Sequence, residues 1–383
     1  MQYRSFGNSG WQVSALGFGC MRLPTYDNNP MSGNVNEEET IKMVRYAIDR
    51  GVNFVDTAYP YHNGSSEVAL GKALKEGYRD KVKVSDKSPV SKIKDKGDFE
   101  RYLYKQLERL QVNFLDYYLL HGLNRDRWLN IVGRFNLLNK AEKAKQEGLI
   151  KHLGFSFHDS YPVFQEIVDG YDGWEMCLVQ YNYLDLQTQA GAAGVRYAAQ
   201  RGIPVAVMEP LQGGNLAFPP EPIKKMLYQA SPGRPPYDWA LQWLWDQREV
   251  AVVLSGMSTM DQVVLNLDAA EKSAVGSLTA EERTYLKETI YHKFKEMILI
   301  PCTRCYYCMP CPQQINIPFN INLFNNGYIY GDVQDRRKQY GIFGNDASEC
   351  MQCGECEDKC PQQFGVSGWM HRIHQVLGEE QPY

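Results

Sequence analysis

Four polar residues stand where apolar runs end. Asp56 closes V-N-F-V-D (52–56), Lys87 closes V-K-V-S-D-K (82–87), His121 closes L-D-Y-Y-L-L-H (115–121), and Tyr61 follows shortly after the first run. A phenol has an ordinary pKa of about 10, so it gives up a proton poorly at neutral pH. A neighbouring ammonium stabilises the phenolate and lowers that value. Lys87 can supply the ammonium, and Asp56 can pair with Lys87 and fix it in place. His121 can hydrogen-bond a carbonyl oxygen and orient it. Such a set makes a general acid for reducing a C=O group, with hydride drawn from a nicotinamide. The plainer readings are a surface ion pair for Lys87 and a satisfied core histidine for His121. Both residues close apolar runs, which speaks against those readings.

A second chemistry lies in the last quarter of the chain. C-T-R-C-Y-Y-C-M-P-C-P supplies Cys302, Cys305, Cys308 and Cys311, and C-M-Q-C-G-E-C-E-D-K-C-P supplies Cys350, Cys353, Cys356 and Cys360. Three thiolates spaced by two residues let one loop wrap three corners of a cubane. A fourth cysteine followed by proline is freed to reach the other run's cluster. The expectation is two [4Fe-4S] clusters with crossed ligands: Cys302, Cys305, Cys308 and Cys360 on one, and Cys350, Cys353, Cys356 and Cys311 on the other. The first run has only Met309 and Pro310 before its last cysteine, where the second has three residues. A disulfide framework needs an oxidising compartment. A zinc site, the main alternative, normally takes two cysteine pairs.

These residues need elements to hold them. An opening hairpin is expected from Tyr3–Phe6 and Trp11–Ser14, turned at Asn8-Ser9-Gly10. Short apolar runs then alternate with amphipathic ones: 15–18, 52–56, 82–87, 115–121, 150–156, 177–181, 204–209 and 250–256. Helices are expected between them, as at 37–50, where Asn36 and Glu39 resemble a capping box, and at 99–110, 161–168 and 237–245. Eight β-then-α units fit a closed parallel (β/α)8 barrel, a TIM barrel in the α/β class, better than an open sheet. Asp56, Lys87, His121, Ser156, Gln180 and Glu209 each end a run. In such a barrel those ends form the active-site face. Buried charges are expensive unless paired, so this recurrence is hard to obtain from core packing alone. The organisation read from the sequence is a barrel over 1–275, a connecting helix over 276–300 and a small α-rich cysteine domain over 301–383. Residues 312–349, with Asn-Asn-Gly and Tyr-Gly-Asp turns, join the two cysteine runs.

The formal charge of −4 argues against a nucleic-acid surface, which needs a basic excess. No apolar run approaches the ~20 residues that span a bilayer. The first ten residues lack a secretory leader's apolar stretch. Of the ten cysteines only Cys20 and Cys177 lie outside the two runs. A reducing, cytoplasmic setting is the expectation, with no membrane and no nucleic acid as partner.

G-V-N-F-V-D-T-A-Y-P-Y, K-V-K-V-S-D-K and L-D-Y-Y-L-L-H together resemble the aldo-keto reductase superfamily, over roughly residues 1 to 275. The tail is similar to a ferredoxin-fused branch of it. The resemblance implies a catalytic tetrad of Asp56, Tyr61, Lys87 and His121, and a site for NADP(H) or NAD(H) without a Rossmann fold. It places Ser156 and Gln180 on the carboxamide, with Phe157 where the family's common asparagine stands, and Met208 where many members stack an aromatic ring. Cys20, Met21 and Arg22 fall in the first cofactor-facing loop, and Pro210, Leu211 and Gly214 in the loop over the pyrophosphate. Gly256 and Gln262 occupy positions where many members place a lysine and an arginine for the 2′-phosphate. Ser258 and Thr259 can add hydroxyl contacts, and Asn266 matches the adenine contact. A weaker preference for NADPH over NADH than is usual in the family follows.

Three functions fit. One is a reductase acting on a small carbonyl substrate, or on an alcohol in reverse. Another is an iron–sulfur electron carrier that uses the barrel as a nicotinamide-binding scaffold, and the third is a nicotinamide-sensing module. An intact tetrad favours the first, with a one-electron redox partner expected at the clusters. Tyr26, Tyr59 and Trp128 are candidates for the pocket wall.

Overall fold

The apolar runs become strands because each is buried on both faces, as strands of a parallel sheet between helices must be. In the computed structural model, which describes residues 1–27, 29, 32–304, 307–342 and 346–383, β1 (Tyr3–Ser5) and β2 (Gln12–Ser14) pair antiparallel as the hairpin. The ring strands are β3 (Leu16–Gly19), β4 (Phe54–Asp56), β5 (Lys83–Ser88), β6 (Leu115–Leu123), β7 (Ile150–Phe157), β8 (Cys177–Gln180), β9 (Val205–Met208) and β10 (Val250–Gly256). They close in the order β10-β3-β4-β5-β6-β7-β8-β9, parallel throughout. The barrel expected from the alternation of runs is the observed one.

The hairpin's aromatic residues close one end of the ring. Phe6 lies 5.2 Å from Tyr117 and 5.4 Å from Trp11 between ring centroids, and Phe54 lies 5.7 Å from Tyr117. Phe54 opens β4 and Tyr117 stands early in β6, so this cluster fills the N-terminal end of the barrel. The C-terminal end is left for polar side chains. Around the ring run α1 (Glu37–Asp49), α2 (Ser65–Ala73) and α3 (Asp98–Leu110), followed by helices after each later strand. Asn36 caps α1 through its side chain, which accepts the Glu39 N–H at 3.1 Å, as the sequence suggested. Trp239 and Trp245 are fully buried packing residues.

The chain divides into two compact units, Met1–Gly214 with Tyr237–Thr279, and Asn215–Pro236 with Ala280–Tyr383. In the second unit the helix Glu221–Ala230 meets the helical stretch that starts at Ala280: the Tyr285 hydroxyl donates to the Met226 carbonyl at 3.0 Å, and Arg234 pairs with Glu282 at 2.7 Å. Between the cysteine runs lie two helices, Ile317–Tyr330 and Val333–Ile342. The Asn-Asn-Gly expected as a turn is inside the first of them. Asn325 is buried there, accepts the Ile300 N–H at 3.0 Å and donates to the Ile300 carbonyl at 2.9 Å, so its polarity serves a tertiary contact and makes no turn. Ile300, Ile321, Phe324, Met370 and Ile373 are among the core residues of this unit. No helix among the described residues is long and apolar enough to cross a membrane.

Candidate active site

Strand geometry places the site. Side chains alternate along β5, so Lys87 points into the barrel while Asp86 points outward to the helix layer. Asp56 closes the neighbouring strand β4, paired at Ser85, and so also faces inward. Lys87 and Asp56 are almost fully buried. The Lys87 ammonium donates to Asp56 Oδ2 at 2.6 Å and to the Thr57 carbonyl oxygen at 2.6 Å. It stands 4.8 Å from the centroid of the Tyr61 ring. Tyr61 in turn meets His121 edge-on, ring centroids 6.1 Å apart. The four residues singled out in the sequence are therefore one cluster at the C-terminal rim. Tyr61 and His121 are mostly buried but keep some exposure, so the cluster meets solvent on their side.

Irregular backbone aims His121. β6 breaks register with β7 between Leu120 and Leu123, where His121 and Gly122 sit. Bulges of this kind re-aim side chains next to active sites. Gly122 has φ 63°, which suits glycine, and its N–H donates to Ser156 Oγ at 2.7 Å. Glu209, the last of the run-ending polar residues, follows β9 with a left-handed φ of 55°.

Electrostatics assigns the protons. Burial disfavours the Lys87 ammonium, but Asp56 and Tyr61 outweigh that, and its pKa rises: the lysine is held charged. Burial and the Lys87 charge drive His121 well below the usual histidine value, so the imidazole is neutral at physiological pH. For Tyr61 the sequence suggested a lowered phenol pKa, but its pKa is raised. Burial pushes it up, Lys87 pulls it down, and Asp56 and Glu209 add to the rise. The phenol thus keeps its proton in the free site. The lysine's contribution is to the phenolate that forms when the proton leaves.

The nicotinamide residues expected from the sequence are placed as follows. Ser156 is buried and engaged with Gly122. Gln180 donates to Asp185 Oδ2 at 2.8 Å and accepts from Gln189 at 3.0 Å. Met208 is partly buried at the end of β9. Cys20 is fully buried in the core, so of the first loop only Met21 and Arg22 offer accessible side chains. The pairing of β3 with β10 brings that loop to Gly256. The Arg22 stem lies over Gly256, where an added Cβ would sit 3.3 Å from it. The Arg22 guanidinium reaches Gly213, in the loop that holds Pro210, Leu211 and Gly214. The Ser258 hydroxyl donates to the Arg22 carbonyl at 2.8 Å, and the Ser258 N–H donates to Gln262 Oε1 at 2.8 Å. Thr259 caps the helix Met260–Glu271, accepting the Gln262 N–H, and Asn266 donates to Ser255 Oγ at 2.9 Å. Trp128 packs on Trp174, ring centroids 6.2 Å apart, as a core partner. The sequence reading missed Thr57, Asp185 and the trio of buried Glu67 and Asp86 with partly exposed Arg109. Asp86, a carboxylate beside Lys87 in an apolar run, was the visible signal for the trio.

In the second unit the cysteines line two hollows. One is bounded by Cys308, Cys311, Cys350, Cys353 and Cys356, and the other by Cys302, Cys308 and Cys360. Cys305 lies outside the described residues. Each hollow thus takes thiols from both runs, and thiolate donors suit an iron–sulfur cluster. Among the described residues no three His, Cys, Asp or Glu side chains converge on a single ion.

A closed eight-strand parallel barrel with a charged lysine, a phenol and a neutral imidazole at its C-terminal rim defines an α/β-barrel oxidoreductase. The sequence profile of the aldo/keto reductase family matches residues 15–289, and a 4Fe-4S dicluster domain matches residues 301–364. The chain belongs to the aldo/keto reductase family and carries an iron–sulfur domain C-terminal to it in sequence. A probable aldo-keto reductase of Glycine max is 32% identical over 158 residues, 39% of this chain and 43% of that protein. L-galactose dehydrogenase of Arabidopsis thaliana is 28% identical over 70% of this chain and 88% of its own length. The solved holo form of an aldo-keto reductase from Bacillus halodurans is 28% identical, with a TM-score of 0.60 over 75% of this chain and 96% of that one.

Proposed function

We propose that the barrel reduces an aldehyde or ketone to an alcohol with NAD(P)H, or runs the reverse. The observation that carries this is the Lys87 ammonium, fixed by Asp56 and the Thr57 carbonyl, 4.8 Å from the Tyr61 ring. Reduced nicotinamide, held by the residues named below, would supply the hydride to the carbonyl carbon. Tyr61 supplies the proton to the carbonyl oxygen, and Lys87 stabilises the phenolate left behind. His121, neutral, donates an N–H to the same oxygen and orients it. Ser156 and Gln180 would hold the carboxamide, Met208 would pack on the ring, and the loop of Pro210, Leu211 and Gly214 with Met21 and Arg22 would cover the pyrophosphate. Asn266 is the adenine contact. The test is nicotinamide oxidation against a panel of aldehydes and ketones, with alcohols in the reverse direction. If no member of either panel drives turnover in cluster-loaded protein, the reading fails.

The adenosine end bears on cofactor choice. Gly256 and Gln262 bring no cation there, and Ser258, Thr259 and the helix start offer hydroxyl and N–H contacts. Arg22 reaches the pyrophosphate loop from its place over Gly256. The expected ratio of dissociation constants for NADH and NADPH is below about a hundredfold, or roughly 2.7 kcal/mol. Titration of both cofactors by fluorescence measures it, and a larger ratio refutes the assignment.

We also propose that the tail holds two [4Fe-4S] clusters with crossed ligands, Cys302, Cys305, Cys308 and Cys360 on one and Cys311, Cys350, Cys353 and Cys356 on the other. The composition of the two hollows supports it. Such clusters carry one electron each, so the cysteine unit is the place for a one-electron partner. Cys356→Ser is expected to remove one of two reduced-cluster signals in electron spin resonance and to leave the other. A full, unchanged spectrum would contradict the ligand set.

A further inference from the structure

We infer that Asp86 is held as a neutral acid against Glu67, which leaves the Lys87 ammonium facing a single carboxylate, Asp56, and keeps its field for Tyr61. The catalytic meaning of this inference rests on the reductase reading above, while the protonation itself does not.

Strand alternation turns Asp86 away from the barrel interior, into the layer between α2 and α3. Glu67 stands in the first turn of α2 and Arg109 in the last turn of α3. The two helices approach closely because Gly71 has no side chain: a Cβ there would lie 2.5 Å from the Leu110 carbonyl oxygen. Both carboxyl groups are fully buried. Glu67 Oε2 accepts from Arg109 Nη1 at 2.6 Å, and Asp86 Oδ1 accepts the Lys87 backbone N–H at 2.7 Å. Glu67 Oε1 and Asp86 Oδ2 are then buried with no donor. The two carboxyls are close enough for each to act on the other's ionisation.

Two ionised carboxylates so placed would repel each other, and each would bury a bare oxygen. One proton between them removes both penalties. Arg109 decides where it resides. Burial raises Glu67 as well, but Arg109 pulls it back down, whereas burial and the Glu67 charge push Asp86 well above the usual carboxylate range, so the proton belongs to Asp86. The charged neighbours are thus Glu67 from α2, Arg109 from α3 and Lys87 from β5 itself. Tyr118 and Gln106 complete the wall, hydrogen-bonded to each other at 2.8 Å, with Gln106 donating to the Lys87 carbonyl at 3.1 Å. An ionised Asp86 would set a second anion beside Lys87 and weaken its hold on a forming phenolate. Asp86 is thus a positioning residue that acts through Lys87.

The test is infrared difference spectroscopy of the full, cluster-loaded chain at neutral pH. The wild type is expected to show a protonated-carboxyl C=O stretch that shifts on aspartate-specific ¹³C labelling and vanishes in Asp86→Asn. The asparagine keeps the acceptor for the Lys87 N–H and donates to Glu67, so that variant folds. Asp86→Ala bares both partners and is expected to turn over at least tenfold more slowly than Asp86→Asn. Absence of the band at neutral pH, its survival in Asp86→Asn, misfolding of Asp86→Asn, or Asp86→Ala turning over as fast as Asp86→Asn would each overturn the inference. Tyr61→Phe leaves the band in place, so failure of the reductase reading shows separately, as absent carbonyl chemistry with the band intact.

Discussion

Tyr61→Phe is expected to lower turnover by about 10²–10⁴-fold, the usual worth of a positioned general acid. That corresponds to about 2.7–5.4 kcal/mol of transition-state stabilisation. The change removes one hydroxyl and keeps the ring that faces the Lys87 ammonium at 4.8 Å, so the packing of the rim survives. Cofactor affinity should stay within about threefold, because none of the nicotinamide contacts proposed above uses the phenol. Steady-state kinetics and a cofactor titration on one sample measure both. Loss of affinity in step with turnover would point to a structural role for Tyr61. Turnover within tenfold of wild type would remove it from the chemistry.

Lys87→Met is expected to cost about 3–5 kcal/mol of folding stability, because it strands a buried carboxylate. Asp56 is nearly sealed from solvent, and the lysine is its donor at 2.6 Å. The same change should abolish measurable turnover, since nothing then stabilises the phenolate. The double variant Asp56→Asn/Lys87→Met should recover most of the lost stability and none of the activity, because both charges leave together. Denaturant unfolding, followed in the barrel's far-ultraviolet signal, gives the two stability values. A single variant within about 1 kcal/mol of wild type would mean that the ion pair is worth far less than its burial implies.

The barrel was legible because two independent signals agree along the chain. Short apolar runs alternate with amphipathic ones, and a polar residue ends run after run. Asp56, Lys87 and His121 could be read as neighbours because parallel strands bring their C-terminal ends to one rim. The direction of the Tyr61 shift was not legible. It is a balance of burial against two opposite charges, and burial depends on tertiary packing that no local pattern encodes. The Glu67, Asp86 and Arg109 trio was hidden for a similar reason. On a helical pattern Glu67 and Arg109 look like solvated charges, and it is the packing of the two helices, close at Gly71, that buries Glu67 against Arg109. Asn325 misled in the opposite way: an Asn-Asn-Gly reads as a turn unless a distant backbone, here that of Ile300, needs its amide. The cysteine runs were legible from spacing alone, and the mixing of both runs in each hollow agrees with crossed ligation.

The claim on which the account rests is that hydride passes straight from a nicotinamide to a carbonyl carbon at the barrel rim. The most direct measurement uses reduced cofactor doubly deuterated at the nicotinamide C4 with a carbonyl substrate found in the panel, followed by mass spectrometry of the alcohol. The account predicts one deuterium on the carbinol carbon of every product molecule. Oxidised cofactor accompanied by an alcohol whose carbinol hydrogen comes from solvent would contradict it, since the electrons would then have travelled by another path.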